Sequence, residues 1–294
     1  MAVAINPDYG PRGESNVILA GNGRRHYVRD YPGPFSVKSI VRGQAEWTTD
    51  EGRFALDADS ILVLNNRNPY TIVIDSPRPV QTFCLFFRDG LIEDAWRSET
   101  SAAAALLDDP VADSPPVGFF ERIHPKQGRI APLLCSMHRE MVSGDAISES
   151  LEDGFLLIAR ELLQFRSELE SAKARVPAAR ASTRAELFRR LTRARSVVEA
   201  SLGDPLDLQT IAREACLSPY HLHRLFTRAF GETPHRYAVR RRMDRARRLL
   251  AQTDQPVTEV CLDSGFQSLG SFTTLFRREN GCSPQQFRAR ARMR

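Results

Sequence analysis

The sequence predicts an α+β chain of two domains. A small N-terminal β-barrel or jelly roll, followed by helices, precedes an all-α domain in which a long helix joins two helix-turn-helix units. Three observations predict it. Between Phe35 and Phe87, short runs rich in β-branched and aromatic residues alternate with turn signals. After about Pro125 the apolar residues recur at helical spacing. Residues 207–234 and 258–284 then repeat one pattern fifty positions apart: Leu222, Leu225, Phe226, Arg228, Gly231, Pro234 and Tyr237 fall against Phe272, Leu275, Phe276, Arg278, Gly281, Pro284 and Phe287.

The 294 residues, 42% of them apolar, suffice for two separate cores. No apolar run approaches the roughly 18 residues of a membrane span, and the N-terminus lacks the features of a secretory signal. The expectation is a cytoplasmic protein with no membrane partner. Cys84, Cys135, Cys216, Cys261 and Cys282 are odd in number and form no CxxC, so reduced core thiols are expected rather than disulfides or a thiolate zinc site. The net charge of +5 is unevenly spread. Residues 184–294 hold 21 Arg, no Lys and 11 acidic side chains, a charge of +10, whereas residues 1–183 hold 20 basic and 25 acidic, a charge of −5. A basic C-terminal domain suits a polyanionic partner; a solvated arginine-rich surface is the plainer reading.

Along the chain, Asn6-Pro7, Gly10-Pro11, Gly13 and Gly21-Asn22-Gly23 point to an extended arm over 1–23 with little regular structure. Strands are predicted at residues 35–41, 44–49, 53–56, 61–64, 71–74 and 80–87, with turns at Asp50-Glu51-Gly52, Asp57-Ala58-Asp59 and Ser76-Pro77. Together with the helices that follow, they make an effector-binding and dimerisation domain over 24–170. Leu151, Phe155, Ile158, Leu162, Phe165 and Leu169 draw an apolar stripe at 4-3-4-3-4 spacing. Either it packs on the barrel or it meets a second copy in a homodimer. Residues 171–183 lack apolar periodicity, contain Pro177 and read as a linker, and a helix over 184–202 opens the C-terminal domain at 184–294.

In the first repeat Asp207 caps a short helix, Cys216-Leu217 forms the corner, and Ser218 caps a second helix with Pro219 at its first position. Leu222, Leu225 and Phe226 must point inward, which leaves Tyr220, His223 and Arg224 outward. Such a helix fits the major groove of duplex DNA, where an arginine fork bonds both acceptors of a guanine. In the second repeat Ser268 caps the equivalent helix, Phe272, Leu275 and Phe276 point inward, and Gly270, Ser271 and Thr274 face outward. None of these three can make a bidentate guanine contact. The N-caps Ser218 and Ser268 would stand near phosphates. The joining helix, from Thr233-Pro234 to about Thr253, carries seven arginines from Arg236 to Arg248, mostly expected as a solvated face.

The segment LSPYHLHRLFTRAFGETPHRYAVRRRMDRARRLL, followed by VTEVCLDSGFQSLGSFTTLFRRENGCSPQQFR, resembles the DNA-binding domain of AraC/XylS-type transcriptional regulators over about residues 184–290. The resemblance implies base contacts from Tyr220, His223 and Arg224 and from Gly270, Ser271 and Thr274; many members carry Arg where this chain has Thr274. It also implies a cupin-like N-terminal barrel binding an unknown small-molecule effector, a homodimer, promoter DNA and RNA polymerase as partners, and more often an activator than a repressor. Metal-binding cupins need a His-x-His pair, whereas the histidines before the linker are His26, His124 and His138, so no metal and no cofactor are expected. Trp47, Tyr27, Phe83 and Phe86 are candidate cavity residues, although aromatic strand residues are more often core. Two other readings are a cupin-type small-molecule enzyme with an attached helical adaptor and an effector-independent DNA binder. The enzyme reading finds no paired carboxylates, nucleophile motif or phosphate loop in 24–170.

Overall fold

The structure, a computed structural model, describes residues 3–6, 13–100, 116–119, 121–126, 128–144, 148–204 and 207–292. The chain divides into two compact units, residues 1–171 and 172–294. Among the described residues the first unit holds strands β1 (Ala4–Ile5), β2 (Val17–Pro32), β3 (Ser36–Arg42), β4 (Ala45–Thr49), β5 (Gly52–Leu56), β6 (Ser60–Leu64), β7 (Pro69–Phe86) and β8 (Ile123–Pro125). With them go helices α1 (Leu91–Thr100), α2 (Ile130–Ser143) and α3 (Ser148–Ala174). The strands form one sheet in the order β1-β2-β7-β3-β6-β8, with the β4-β5 hairpin attached to β7.

Strand alternation gives this sheet two apolar faces. Leu62, Leu64, Cys84 and Phe86 join Ile40, Trp47, Phe54 and Ile72 in an inner cluster. Their neighbours Ile61, Val63, Phe83, Leu85 and Phe87 point the other way, into a cluster with α1, α2 and α3. Both faces of β6 are therefore buried, which is why four of its five residues, Ile61 to Leu64, read as an uninterrupted apolar run. Helices cover the outer face of the sheet, and the apolar stripe supplies much of that cover. Leu151, Phe155, Ile158 and Leu162 are at most 1% exposed and belong to the cluster under the sheet, with Phe165 packed against it. The ring of Phe155 meets Phe87 edge to face at 5.0 Å. Leu169 is also buried within the chain. The stripe is thus core, and the expectation that it meets a second copy is corrected: each such side chain gains about 1.5–3 kcal/mol by leaving water for the sheet.

Two strand boundaries also depart from expectation. Residues 1–2 and 7–12 of the expected arm lie outside the described residues, but among those described, 4–5 and 17–23 are strand and not irregular. Ala4–Ile5 pairs in parallel with Val17–Ile18, and β2 runs antiparallel to β7 straight through Gly21-Asn22-Gly23. Gly21 is there for close approach, not for a turn, since a Cβ on it would lie 2.9 Å from Thr82 Oγ1. The turn expected at Ser76-Pro77 is a bulge inside β7. Pairing steps from Gly23 opposite Val80 to Arg25 opposite Asp75, so Pro77 and Pro79 sit where the ladder asks no N–H of them.

The second unit is helical: α4 (Ala181–Ala200), α5 (Leu208–Glu214), α6 (Pro219–Phe230), α7 (Pro234–Gln252), α8 (Val257–Asp263), α9 (Leu269–Asn280) and α10 (Pro284–Arg292). The expected linker is shorter than 171–183, because α3 continues to Ala174 and α4 begins at Ala181. What remains is tied down. Arg175 donates to the Ala229 carbonyl from Nε and Nη2 at 3.0 and 2.7 Å, Val176 is 1% exposed, and Arg184 Nε donates to its carbonyl at 3.2 Å.

Candidate nucleic-acid interface and ligand cavity

Each repeat folds as its sequence demands. Asp207 accepts hydrogen bonds from the amides of Gln209 and Thr210 and so caps α5. At the corner, Cys216 N donates to Arg213 O and Leu217 N to Ala212 O, the paired bonds of a Schellman turn. In the second repeat Gly265 N donates to Leu262 O and Phe266 N to Cys261 O in the same pattern. That turn is one residue longer: its bonds are 49 positions from those of the first, whereas the caps Ser218 and Ser268 are 50 apart, and Gln267 is the insertion. Ser218 caps α6 by accepting from His221 N at 3.3 Å, and Ser268 caps α9 by accepting from Ser271 N at 3.4 Å. Gly231 and Gly281 close the two helices with φ of 77° and 70°.

The inward faces form two small cores that share α7. Leu222, Phe226 and Ala229 are 0% exposed, and the Phe226 ring lies 4.6 Å from Phe230 and 5.8 Å from Tyr237. Phe272 and Phe276 pack with Met243, Ala246, Leu250, Val260 and Cys261, and Phe276 meets Phe287 at 5.4 Å. Tyr237 and Phe287, equivalent in the repeat, thus close equivalent cores.

The outward faces differ. On α6 Tyr220 is 72% exposed, and His223 and Arg224 are exposed beside it. The Arg224 guanidinium carbon lies 5.9 Å from the Tyr220 ring centroid. Such a contact is worth about 0.5–1 kcal/mol at an exposed site. His221, exposed one residue on from Tyr220, extends the same polar surface, although its place beside the inward Leu222 gives no sequence signal for it. On α9 Gly270, Ser271 and Thr274 are exposed and Leu269 is 42% exposed. This surface carries small groups and methyls where α6 carries an arginine.

Arg236 is exposed, but the other arginines of α7 are buried or half-buried and do not form a solvated face. Arg241 is 0% exposed; its Nε donates to Glu199 at 2.8 Å and an Nη to Asp244 at 3.2 Å. Burial opposes the Arg241 charge, yet Glu199, Tyr237 and Asp244 together hold its pKa above the usual range. Tyr237 donates to the same Glu199 and accepts from Arg195 Nε at 2.7 Å. Arg240 reaches Glu232 at 2.7 Å, Arg242 the Leu202 carbonyl at 2.9 Å, and Arg247 reaches Asp244 and Asn280, both at 2.6 Å. These bonds fix α7, 19 residues and about 28 Å long, to the helices around it.

In the first unit the sheet lines a partly open cavity of about 440 Å³. Trp47 and Phe86 line it, as their strand positions suggest. Tyr27 does not, being 63% exposed, and Phe83 faces the helices. Lys38 and Tyr70, not singled out from the sequence, also line it. Lys38 lies in phase with inward Ile40 on β3, a signal hidden by the habit of reading strand lysines as solvated. Its ammonium is fully buried, donates to Tyr70 Oη at 3.1 Å, and lies 3.7 Å from the Phe86 ring centroid and 4.2 Å from that of Tyr70. Burial pushes the Cys84 thiol up, and the Lys38 charge draws it partly back. The histidines lie apart: His26 exposed on β2, His124 buried on β8 and tilted against Phe165, His138 on α2 edge-on to Phe83. Among the described residues no three His, Cys, Asp or Glu side chains cluster as metal ligands, and no helix is long and apolar enough to cross a membrane. Cys84, Cys261 and Cys282 are buried free thiols, but Cys135 and Cys216 are exposed, contrary to a core role for all five.

Fold and site together define a class of protein that joins a cavity-bearing sheet domain to a tandem helix-turn-helix domain. The family model for the AraC-like ligand binding domain matches residues 24–164, and that for a helix-turn-helix domain matches residues 211–290. The chain belongs to the AraC/XylS-type transcriptional regulators. It is similar to the HTH-type transcriptional regulator ArgR of Pseudomonas aeruginosa, 32% identical over 103 residues that cover 35% of this chain and 31% of that one. It is also similar to the HTH-type transcriptional activator RhaS of Enterobacter sp. (strain 638), 37% identical over 99 residues, 34% of this chain and 36% of that one. These matches therefore span about a third of each relative's length. Among solved structures, a transcriptional regulator (AraC-type DNA-binding domain-containing proteins) from Chromobacterium violaceum is 34% identical, covering 35% of this chain and 91% of that one with a TM-score of 0.33.

Proposed function

We propose that this chain is a sequence-specific DNA-binding transcription regulator whose N-terminal cavity takes a small effector. The observation that carries the reading is the outward set Tyr220, His223 and Arg224 at the start of a capped helix, on a domain of charge +10. The first turns of such a helix come closest to base edges in the major groove. Arg224 reads guanine through O6 and N7, His223 bonds a base or phosphate, and Tyr220 packs on a thymine methyl or holds a phosphate. Gly270, Ser271 and Thr274 supply van der Waals contact and groove fit, and the exposed starts of both helices at Ser218 and Ser268 sit against phosphates.

The names of the relatives support regulation, and RhaS supports activation as its sign. To the same reading belong action in the cytoplasm on promoter DNA, contact with RNA polymerase, and a homodimer that uses a surface other than the buried stripe. No catalytic role is assigned to the cavity. Selection of bound duplexes from a random pool by the full-length chain at physiological salt tests the proposal. A preferred sequence should be enriched many-fold; uniform retention of all duplexes would refute sequence-specific binding.

A further inference from the structure

The duplicated pattern accounts for the apolar side of each helix-turn-helix unit, but a polar tie in the second has no counterpart in the first. Asn280, the last residue of α9, falls against Phe230 at the same fifty-residue offset. The Phe230 ring lies 4.6 Å from Phe226 and 6.0 Å from Phe188. Asn280 instead accepts from Arg247 Nε at 2.6 Å and donates from Nδ2 to the Phe276 carbonyl at 2.9 Å, so α7 grips the backbone end of α9. Arg247 Nη1 in turn donates to Asp244 Oδ1 at 2.6 Å, and the other oxygen of that carboxylate accepts from Arg241 Nη1 at 3.2 Å. Arg241 Nε reaches Glu199 on α4 at 2.8 Å; Tyr237 donates to the same carboxylate, and its ring lies against Phe226 of α6. A continuous series of charge-assisted hydrogen bonds thus runs from the buried back of one recognition helix to the end of the other. Asp244 is the carboxylate that bridges its two arginines.

Two apolar cores already hold α6 and α9 to α7, but apolar attraction is non-directional and lets a helix shift at small cost. Hydrogen bonds to charged groups are short and directional, and a network of them is fully satisfied in one arrangement. The first unit folds without an equivalent of the Asn280 tie, so the tie serves the placement of α9 more than the folding of its unit. Placement matters on a duplex, where each base pair added between two grooves moves the second by about 3.4 Å and turns it by about 35°. We propose that Asp244 is a positioning residue that fixes the spacing at which this chain reads DNA. By locking α9 to α7, and α7 to the helices behind α6, it makes the protein demand one distance between the two segments that α6 and α9 contact. The inference rests on the reading of both helices as DNA-contacting elements and adds a spacing requirement to the base preference of Tyr220, His223 and Arg224.

The test measures the affinity of the full-length chain for its preferred duplex and for two others, with one base pair inserted or removed between the contacted segments. The unaltered chain should bind both altered duplexes about 30-fold more weakly, a penalty like that of one wrong base pair. Asp244→Asn, which keeps the shape and removes the charge, should cut that penalty about fivefold while leaving the base preference within each segment unchanged. Asn280→Ala breaks the same series at α9 and leaves Arg247 paired with Asp244, so it should act likewise even if Asp244→Asn does not fold. The double variant should relax spacing no further than the stronger single one. A merely structural role would lower all three affinities together and leave the penalty intact; that result, or an unaltered chain indifferent to spacing, would overturn the proposal. A chain with no preferred duplex would refute sequence-specific binding and this proposal with it, whereas a preferred duplex whose spacing penalty survives both substitutions refutes only the role of Asp244.

Discussion

Arg224 and Thr274 hold the same place in the two repeats, fifty residues apart, and both are exposed. One offers a planar fork of donors; the other offers a hydroxyl and a methyl. The difference between the two helices is therefore chemical and not positional. Elsewhere in the same unit single side chains do structural work that their type conceals. Tyr237 is fully buried between Arg195 and Glu199, and burial pushes its pKa up to about 12. The folded chain thus keeps the phenol proton after the unfolded chain has lost it. The contribution is complete below about pH 10 and disappears as pH rises towards 12, so the free energy of unfolding should fall by about 2–3 kcal/mol across that window. Denaturant titrations of the full-length chain at stepped pH check this, and Tyr237→Phe should flatten the decline. An equally steep decline in Tyr237→Phe would assign it to other groups.

At the scale of elements, the sequence was most informative where apolar period and caps agree. Asp207, Ser218, Thr233 and Ser268 each cap the helix expected of them. It was least informative where one residue type has two uses. Gly21-Asn22-Gly23 reads as part of an irregular arm but allows two strands to approach, and Ser76-Pro77 looks like a turn but is a bulge. The stripe on α3 has the spacing of a helix-helix contact, and spacing alone cannot say whether a sheet or a second helix covers it. Nor can composition distinguish Arg241 from a surface arginine, since its partner Glu199 lies 42 residues away. The two corners supply a prediction. Cys216 has φ of 51°, a left-handed conformation that costs a side chain about 1–2 kcal/mol, whereas Gly265 has φ of 85° and stands where a Cβ would fall 1.9 Å from the Leu202 carbonyl oxygen. Gly265→Ala should lower unfolding free energy by about 2–4 kcal/mol through strain and overpacking, and Cys216→Gly should change it by less than about 1 kcal/mol. Chemical denaturation followed by helical circular dichroism gives both; similar effects from the two would mean the corners are not set by these contacts.

On the scale of the whole molecule, the division of charge foreshadows a division of labour. The half that carries −5 encloses the cavity, and the half that carries +10 presents the recognition helices. The C-terminal half was legible almost residue by residue because it is built from local signals, caps, corners and a repeat. The cavity was not, because its buried cation, Lys38, meets Tyr70 and Phe86 only after strands far apart in sequence have paired. The account as a whole turns on the inequality of the two recognition helices. Selection of preferred duplexes for the full-length chain, for Arg224→Ala and for Thr274→Ala measures it most directly. One half of the preferred site should be strongly specified and the other weakly; Arg224→Ala should flatten the strong half, a loss of about 1–3 kcal/mol of discrimination, and Thr274→Ala should leave both halves nearly unchanged. Equal losses of specificity from the two substitutions would contradict it.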